Sequence, residues 1–151
     1  MAYCFRSAMA ARSRSRVARP AVTAAARAAM ENGLTGMEFA SGIPGSIGGG
    51  VKMNAGAYDG EMRQIVESVQ VMYKDGSILD LDNETMEFGY RNSVIKNRPY
   101  VVLQVSLRLQ PGNREEILAR MNELAARRKE KQPLEFASAG STFLNACGMI
   151  I

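Results

Sequence analysis

The 151 residues include no histidine. That removes the imidazole base, the catalytic triad built on it and any histidine-ligated metal. Cysteine is nearly absent as well. Cys4 and Cys147 lie near opposite ends and match neither a metal spacing nor a redox pair, which argues against a disulfide framework. No apolar run approaches the roughly 18–20 residues that a membrane-spanning helix needs. Acidic residues are missing from positions 1 to 30, which carry Arg6, Arg12, Arg14, Arg16, Arg19 and Arg27. Those are six of 19 basic residues, and the other 13 face 15 acids. The pI near 9.3 therefore belongs to the N-terminal arm. The body is mildly acidic and carries no nucleic-acid footprint.

What is present is one domain's worth of chain, with the 46% apolar and 23% charged residues of a soluble globular protein. Nine of the 14 glycines fall between Gly33 and Gly60. They centre on Gly42-Ile-Pro-Gly-Ser-Ile-Gly-Gly-Gly50, which runs on through Met53-Asn-Ala-Gly-Ala-Tyr58. Glycine admits positive φ and close backbone approach, and clustered free amides form concavities that hold phosphate oxygens. The pattern matches neither G-x-x-x-x-G-K-[ST] nor G-x-G-x-x-G, so two common nucleotide loops are excluded as literal matches. On the residues alone, a tight turn between packed elements stays open beside an anion cradle.

Local signals give an order of elements. Ala24 to Glu31 are strong helix formers, stopped near Asn32-Gly33 by an αL cap. Ile65 to Tyr73 reads as a strand, Lys74-Asp-Gly76 as a hairpin turn and Ser77 to Leu81 as the partner strand. Asn83 is placed to cap a short turn through Glu87. Tyr100 to Leu109 is a strand with Leu103, Val105, Leu107 and Leu109 on one face, ended by Pro111-Gly112. Asn113 opens a helix with Glu116 completing a capping box. Ile117, Leu118, Met121, Leu124 and Ala125 form its apolar stripe. The run Arg127-Arg-Lys-Glu-Lys131 reads as a solvated helix end that favours the dipole. The fold class is α+β, a mixed or antiparallel sheet flanked by helices.

Leu34 to Gly49, followed by Met53-Asn-Ala-Gly-Ala-Tyr58, resembles the flavin-binding core of the UDP-N-acetylenolpyruvoylglucosamine reductase (UDP-N-acetylmuramate dehydrogenase) family. Phe88-Gly-Tyr-Arg-Asn-Ser93 and Ser138-Ala-Gly-Ser-Thr-Phe143 fit the same family in the same order, so the resemblance covers roughly Ala24 to Phe143. It implies the second half of a two-part FAD-binding domain of the vanillyl-alcohol-oxidase/PCMH-like kind. It implies FAD held by Ser41, Gly42, Ile43, Pro44, Gly45, Ser46, Ile47, Gly48, Gly49, Asn54, Gly56 and Tyr58, largely through backbone amides, since no lysine occurs in the loop before Lys52. Ser41 and Ser46 could add hydroxyl donors. For Asn54 and Tyr58, bracing the loop weighs equally with touching the cofactor.

By the same resemblance Arg91 and Ser141 are the catalytic residues. The reaction is an NADPH-driven, flavin-mediated reduction of UDP-N-acetylglucosamine enolpyruvate to UDP-N-acetylmuramate, a cytoplasmic step of peptidoglycan precursor synthesis. An arginine holds its charge at any working pH and binds a carboxylate through paired hydrogen bonds. It would stabilise the enolate-like charge that hydride delivery creates, and the serine would protonate the carbon beside the carboxylate. Without the family, Arg91 reads as a surface ion-pair partner and Ser141 as a loop residue or helix cap. No metal and no membrane or nucleic-acid partner is expected.

Two departures shape the domain reading. After Phe143 the family continues with a lysine and a Pro/Gly-containing stretch, where this chain has Leu144-Asn-Ala-Cys-Gly-Met-Ile-Ile151. The upstream flavin half and the downstream glutamate of the family pattern are not found in these residues. The expected division is a basic arm over 1–23, a second-half FAD subdomain over 24–132 and the start of a substrate domain over 133–151. The arm reads first as a translation artefact, then as a disordered segment, then as a targeting signal. Alone, such a segment is expected to bind flavin weakly or not at all, to turn nothing over, and to self-associate through exposed apolar surface. The rival readings are a non-catalytic nucleotide- or partner-binding remnant and a basic-tailed nucleic-acid binder.

Overall fold

The computed structural model describes residues 3–4 and 21–131. In chain order these form strand β1 (Tyr3–Cys4), helix α1 (Val22–Glu31), β2 (Leu34–Thr35), a 3-10 turn over Glu38–Gly42 and the short helix α2 (Ile47–Lys52). The hairpin strands β3 (Gly56–Ala57) and β4 (Gly60–Glu61) follow, then a 3-10 turn at Met62–Gln64, β5 (Val66–Met72) and β6 (Ile78–Asp82). A third 3-10 turn at Val94–Lys96, β7 (Val101–Pro111) and α3 (Arg114–Lys131) complete the order.

β7 is the spine of the sheet, whose strand order is β1-β7-β5-β6 with β2 also on β7. Among the described residues every pairing in this sheet is antiparallel, the second of the two expected alternatives. The clean alternation expected along Tyr100–Leu109 is broken. Gln70 pairs with Gln104 but Val71 pairs with Val102, so Leu103 is an extra, unpaired residue. A bulge of this kind moves the inward face by one position. Leu107 and Leu109 are buried with odd numbering, whereas Val102 is buried with even numbering and Leu103 is only half-buried. A second bulge at Glu67 does the same to β5, whose buried residues are Val66, Val69 and Val71.

The helices end where local chemistry directs. Gly33 adopts φ +65° past the end of α1, and the Asn32 side-chain amide donates to Ala28 O at 2.8 Å. Asn113 opens α3 by accepting from Glu115 N at 2.9 Å. The stripe on α3 is narrower than expected: Ile117 and Leu124 are buried and Met121 half-buried, while Leu118 and Ala125 are exposed. α3 packs mainly on the Glu38–Gly42 turn, with α1 and β2 beside it, and these cover only its i, i+4, i+7 line. The cap after β6 is Asp82 rather than Asn83, since Asp82 Oδ1 accepts from Thr85 N at 2.8 Å. Asn83 instead donates back to the carbonyls of Arg63 and Val66.

α1 is alanine-rich on the side that packs, so Val22, Ala26 and Ala29 approach closely and are buried with Phe39, Ala40, Ile47 and Val51. A Cβ on Gly50 would already touch Val22 Cγ2 at 3.4 Å. Close helix contact thus fixes α2, and with it the glycine-rich segment, against the core. Among the described residues no helix is long and apolar enough to cross a membrane.

Candidate functional site

The glycine-rich segment is half turn and half helix. The 3-10 turn ends at Gly42, a connection runs through half-buried Ile43 and exposed Pro44 and Gly45, and Ser46 caps α2 by accepting from Gly49 N at 3.2 Å. Gly45 has φ +115° and no described atom within 4 Å of where a Cβ would sit, so that side is open, while its carbonyl accepts from Val22 N at 2.9 Å. Gly48 and Gly49 are therefore first-turn residues of α2 rather than loop residues. The Ile47 side chain points into the core at 8% exposure, leaving only its backbone for a ligand. The Ser41 hydroxyl donates to Glu38 O at 2.9 Å, so its proton is already used within its own turn.

Asn54 braces the loop with its side chain. It is 2% exposed, and each polar atom of its side chain is used within the protein. Nδ2 donates to Glu61 Oε2 and to Gly89 O, both at 3.0 Å, and Oδ1 accepts from Arg63 N at 2.9 Å. The φ of +43° at Asn54 suits asparagine, which tolerates the left-handed region better than most residues. Tyr58 sits with Asp59 at the tip of the β3–β4 hairpin, both at positive φ. Gly56 and Gly60 flank that tip because side chains would not fit. A Cβ on Gly60 would lie 2.4 Å from Phe39 Cγ, and one on Gly56 would lie 2.5 Å from Gly60 O.

Arg91 lies in a tight turn between Gly89 and Asn92, closed by backbone bonds in both directions. Its φ is +50°, and the turn is anchored by the Asn54–Gly89 bond and by Lys96 Nζ donating to Arg91 O at 3.3 Å. Arg91 Nη2 donates to Gly56 O at 3.2 Å and Nη1 to Asn54 O at 3.5 Å. Among the described residues no carboxylate pairs with it. Among the described residues it is carbonyls, not a carboxylate, that hold this guanidinium in place.

These parts meet in one cleft of about 230 Å³, lined by Ile43, Pro44, Met53, Ala55, Gly56 and Arg91. Ile43 and Pro44 come from the glycine-rich segment and Arg91 from a turn far along the chain, so two independent motifs share one concavity. Tyr58 does not line it. Met53 and Ala55 do; both lie in the Met53–Tyr58 stretch that carries the family resemblance, though neither is among the residues expected to hold the cofactor. A second neighbour that sequence reading passed over is Arg128, whose side chain lies against Gly42 and donates to the Gly42 carbonyl. Ser141 lies outside the described residues. Those residues contain no group of three or more cysteine, aspartate or glutamate side chains placed to hold a metal.

Comparison with known proteins bears on the same segment. A family model described as an FAD binding domain matches residues 17–82. The UDP-N-acetylenolpyruvoylglucosamine reductase of Clostridioides difficile (strain 630) is 55% identical over 122 residues, covering 81% of this chain and 40% of that protein. The protein of the same name from Lactobacillus helveticus (strain DPC 4571) is 50% identical over 123 residues, 82% of this chain and 41% of its own length. The crystal structure of UDP-N-acetylenolpyruvylglucosamine reductase (MurB) from Thermus caldophilus superposes with a TM-score of 0.75 at 40% identity. It matches 85% of this chain and 47% of that one. The chain thus spans about two fifths of the length of the curated relatives it matches.

Proposed function

The chain belongs to the UDP-N-acetylenolpyruvoylglucosamine reductase family over the segment it shares with those relatives, and from that premise we propose that it forms one wall of an FAD site together with the arginine that binds substrate. The observation that carries this reading is the shared cleft, in which Ile43-Pro44 of the glycine-rich segment faces the carbonyl-held guanidinium of Arg91. The residues fit the cofactor. The side of Gly45 that lacks a Cβ leaves room for a pyrophosphate, and among the described residues none accepts a hydrogen bond from the Gly45 or Gly48 amide. Held by these residues in the whole enzyme, FAD would supply hydride-transfer chemistry toward the enolpyruvyl double bond of UDP-N-acetylglucosamine enolpyruvate, with NADPH as the reductant.

Arg91 binds the carboxylate next to that double bond and stabilises the negative charge that moves onto it, an electrostatic contribution made by a pre-placed cation. Ser141 delivers the proton to the carbon beside the carboxylate and completes UDP-N-acetylmuramate. The division into an arm over 1–23, a flavin subdomain over 24–132 and the beginning of a substrate domain over 133–151 accompanies this reading, as does a cytoplasmic location. Self-association belongs to it too, because Met53, Ile78, Leu79, Tyr90, Val101 and Leu118 are exposed. Sedimentation over a range of concentrations checks that part, and a monomer throughout argues against it.

Titration of the purified chain with FAD, followed by quenching of flavin fluorescence, tests the central claim. Weak, saturable binding is expected, with no substrate reduction by the chain alone. Pro44 is exposed, so Pro44→Glu sets a like charge beside the pyrophosphate without touching the core, whereas Pro44→Lys does the opposite. The first is expected to weaken binding and the second to strengthen it. Identical titrations for all three proteins would remove the cradle reading, and stoichiometric flavin retained through purification would overturn the expectation of weak binding.

A further inference from the structure

We propose that Arg128 is a positioning residue that clamps the glycine-rich wall of the cleft through Gly42, an inference that rests on the flavin reading for its purpose but not for its geometry. α3 ends in a basic run whose members behave differently. Arg127 pairs with Glu123 at 2.6 Å and is exposed, and Lys129 is exposed, but Arg128 is half-buried and donates from Nη1 to the Gly42 carbonyl. The contact spans 86 residues. Arg128 carries no ion pair among the described residues.

Gly42 supplies the independent half of the argument. Its φ is not in the left-handed region, so backbone conformation does not require glycine there. A Cβ at this position would lie 3.1 Å from Arg128 Nε and 3.2 Å from Cζ. The missing side chain is the space that the guanidinium occupies. Gly42 closes the 3-10 turn, and the next residue, Ile43, donates to Ala40 O at 3.1 Å before entering the cleft wall with Pro44. Holding the Gly42 carbonyl therefore fixes the direction in which Ile43-Pro44-Gly45 leaves the turn. Charge-assisted hydrogen bonds to a carbonyl are among the stronger ones available, and five guanidinium donors allow one to be used for clamping.

Amide exchange of the full 151-residue chain without flavin tests the clamp directly. Arg128→Ala is expected to speed exchange at the Ile43 amide by about tenfold while leaving Val69 and Val71 of β5 unchanged. Arg128→Lys, which keeps the charge and one donor, is expected to restore part of that protection. Gly42→Ala is expected to reproduce the Arg128→Ala effect by displacing the guanidinium, and to add little in the Arg128→Ala background. Unchanged exchange at Ile43, or additive effects of the two substitutions, overturns the proposal. Flavin titration of the same proteins separates the two readings. Exchange coupling together with an about tenfold weaker flavin affinity in Arg128→Ala supports both. Coupling without any flavin binding by the unaltered chain leaves the clamp standing and removes the cradle. Weakened flavin binding without faster exchange overturns the clamp, because Arg128 would then act on the ligand directly.

Discussion

Asn54 and Gly89, 35 residues apart, are joined by a 3.0 Å hydrogen bond from the buried side-chain amide to the carbonyl that opens the Arg91 turn. The same side chain holds Glu61 and the Arg63 amide, so one residue connects α2, the β3–β4 hairpin and the arginine turn. Asn54→Ala leaves the Arg63 amide without its partner, removes one of the two hydrogen bonds to the Gly89 carbonyl, which keeps the one from Asn92 N, and places alanine at φ +43°. A stranded buried amide costs about 1–3 kcal/mol and a left-handed alanine about 1–2 kcal/mol, so a loss of about 2–4 kcal/mol is expected. Urea unfolding measures it as a lower midpoint at unchanged slope. A midpoint equal to that of the unaltered chain would show that the network carries no net stability.

Gly60 tests the packing of the hairpin on the core. The backbone there lies on the Phe39 ring, and an added methyl would come within 2.6 Å of three Phe39 atoms. Phe39 is 7% exposed and has little room to retreat. Gly60→Ala is therefore expected to destabilise by about 1–3 kcal/mol, in the range of overpacked cores. Its added cost should be smaller in a Phe39→Ala background, since that change removes Cγ and Cδ1, the two nearest of the three atoms. Equal effects of Gly60→Ala in both backgrounds would refute the contact.

The tip of the same hairpin offers a substitution of the opposite sign. Tyr58 and Asp59 have φ of +51° and +65°, the signs that a two-residue hairpin turn of the primed type demands at both positions. Glycine adopts such angles without steric cost. The Asp59 bond given to the hairpin is from its backbone carbonyl, which accepts from Gln64 Nε2 at 3.2 Å and survives side-chain removal. Asp59→Gly is expected to raise stability by about 0.5–1 kcal/mol, seen as a higher thermal midpoint. A fall in the midpoint would mean that the unfolded-chain entropy of glycine outweighs the relieved backbone.

These residues also mark what could be read in advance. The cap at Gly33, the turn at Lys74–Gly76 and the opening of α3 at Asn113 follow from interactions within about five residues, which is the range of local sequence signals. The bulge at Leu103 is not local. It depends on β5 and β7 matching their buried faces across the sheet, and the regular alternation of Leu103 to Leu109 hides it. The roles of Asn54 and Arg128 are likewise set by partners far along the chain. A basic run at a helix end looks the same whether its arginine meets water or a glycine carbonyl. For Arg91 the motif pointed to a guanidinium with a purpose, but its carbonyl supports and the apolar half of its cleft came from packing.

Acid stability should report on two exposed turns. Asp75 accepts from the Ser77 hydroxyl at 2.6 Å and from Ser77 N at 2.9 Å, and these bonds, the side-chain one foremost, hold its carboxyl below the usual 3.8. Asp82 is lowered in the same direction, first by its side-chain bond with Thr85 and then by the Thr85 amide. A carboxylate with a depressed folded-state pKa contributes stability above its unfolded value and loses it as pH falls through the folded one. Stability is therefore expected to be flat in this contribution above about pH 5 and to decline below about pH 4. Asparagine keeps a carbonyl acceptor but cannot titrate. The double variant Asp75→Asn with Asp82→Asn should start lower at neutral pH and lose less on acidification. Thermal midpoints of the two proteins would then converge toward low pH, whereas parallel curves down to about pH 2 would show that other carboxylates govern the acid transition.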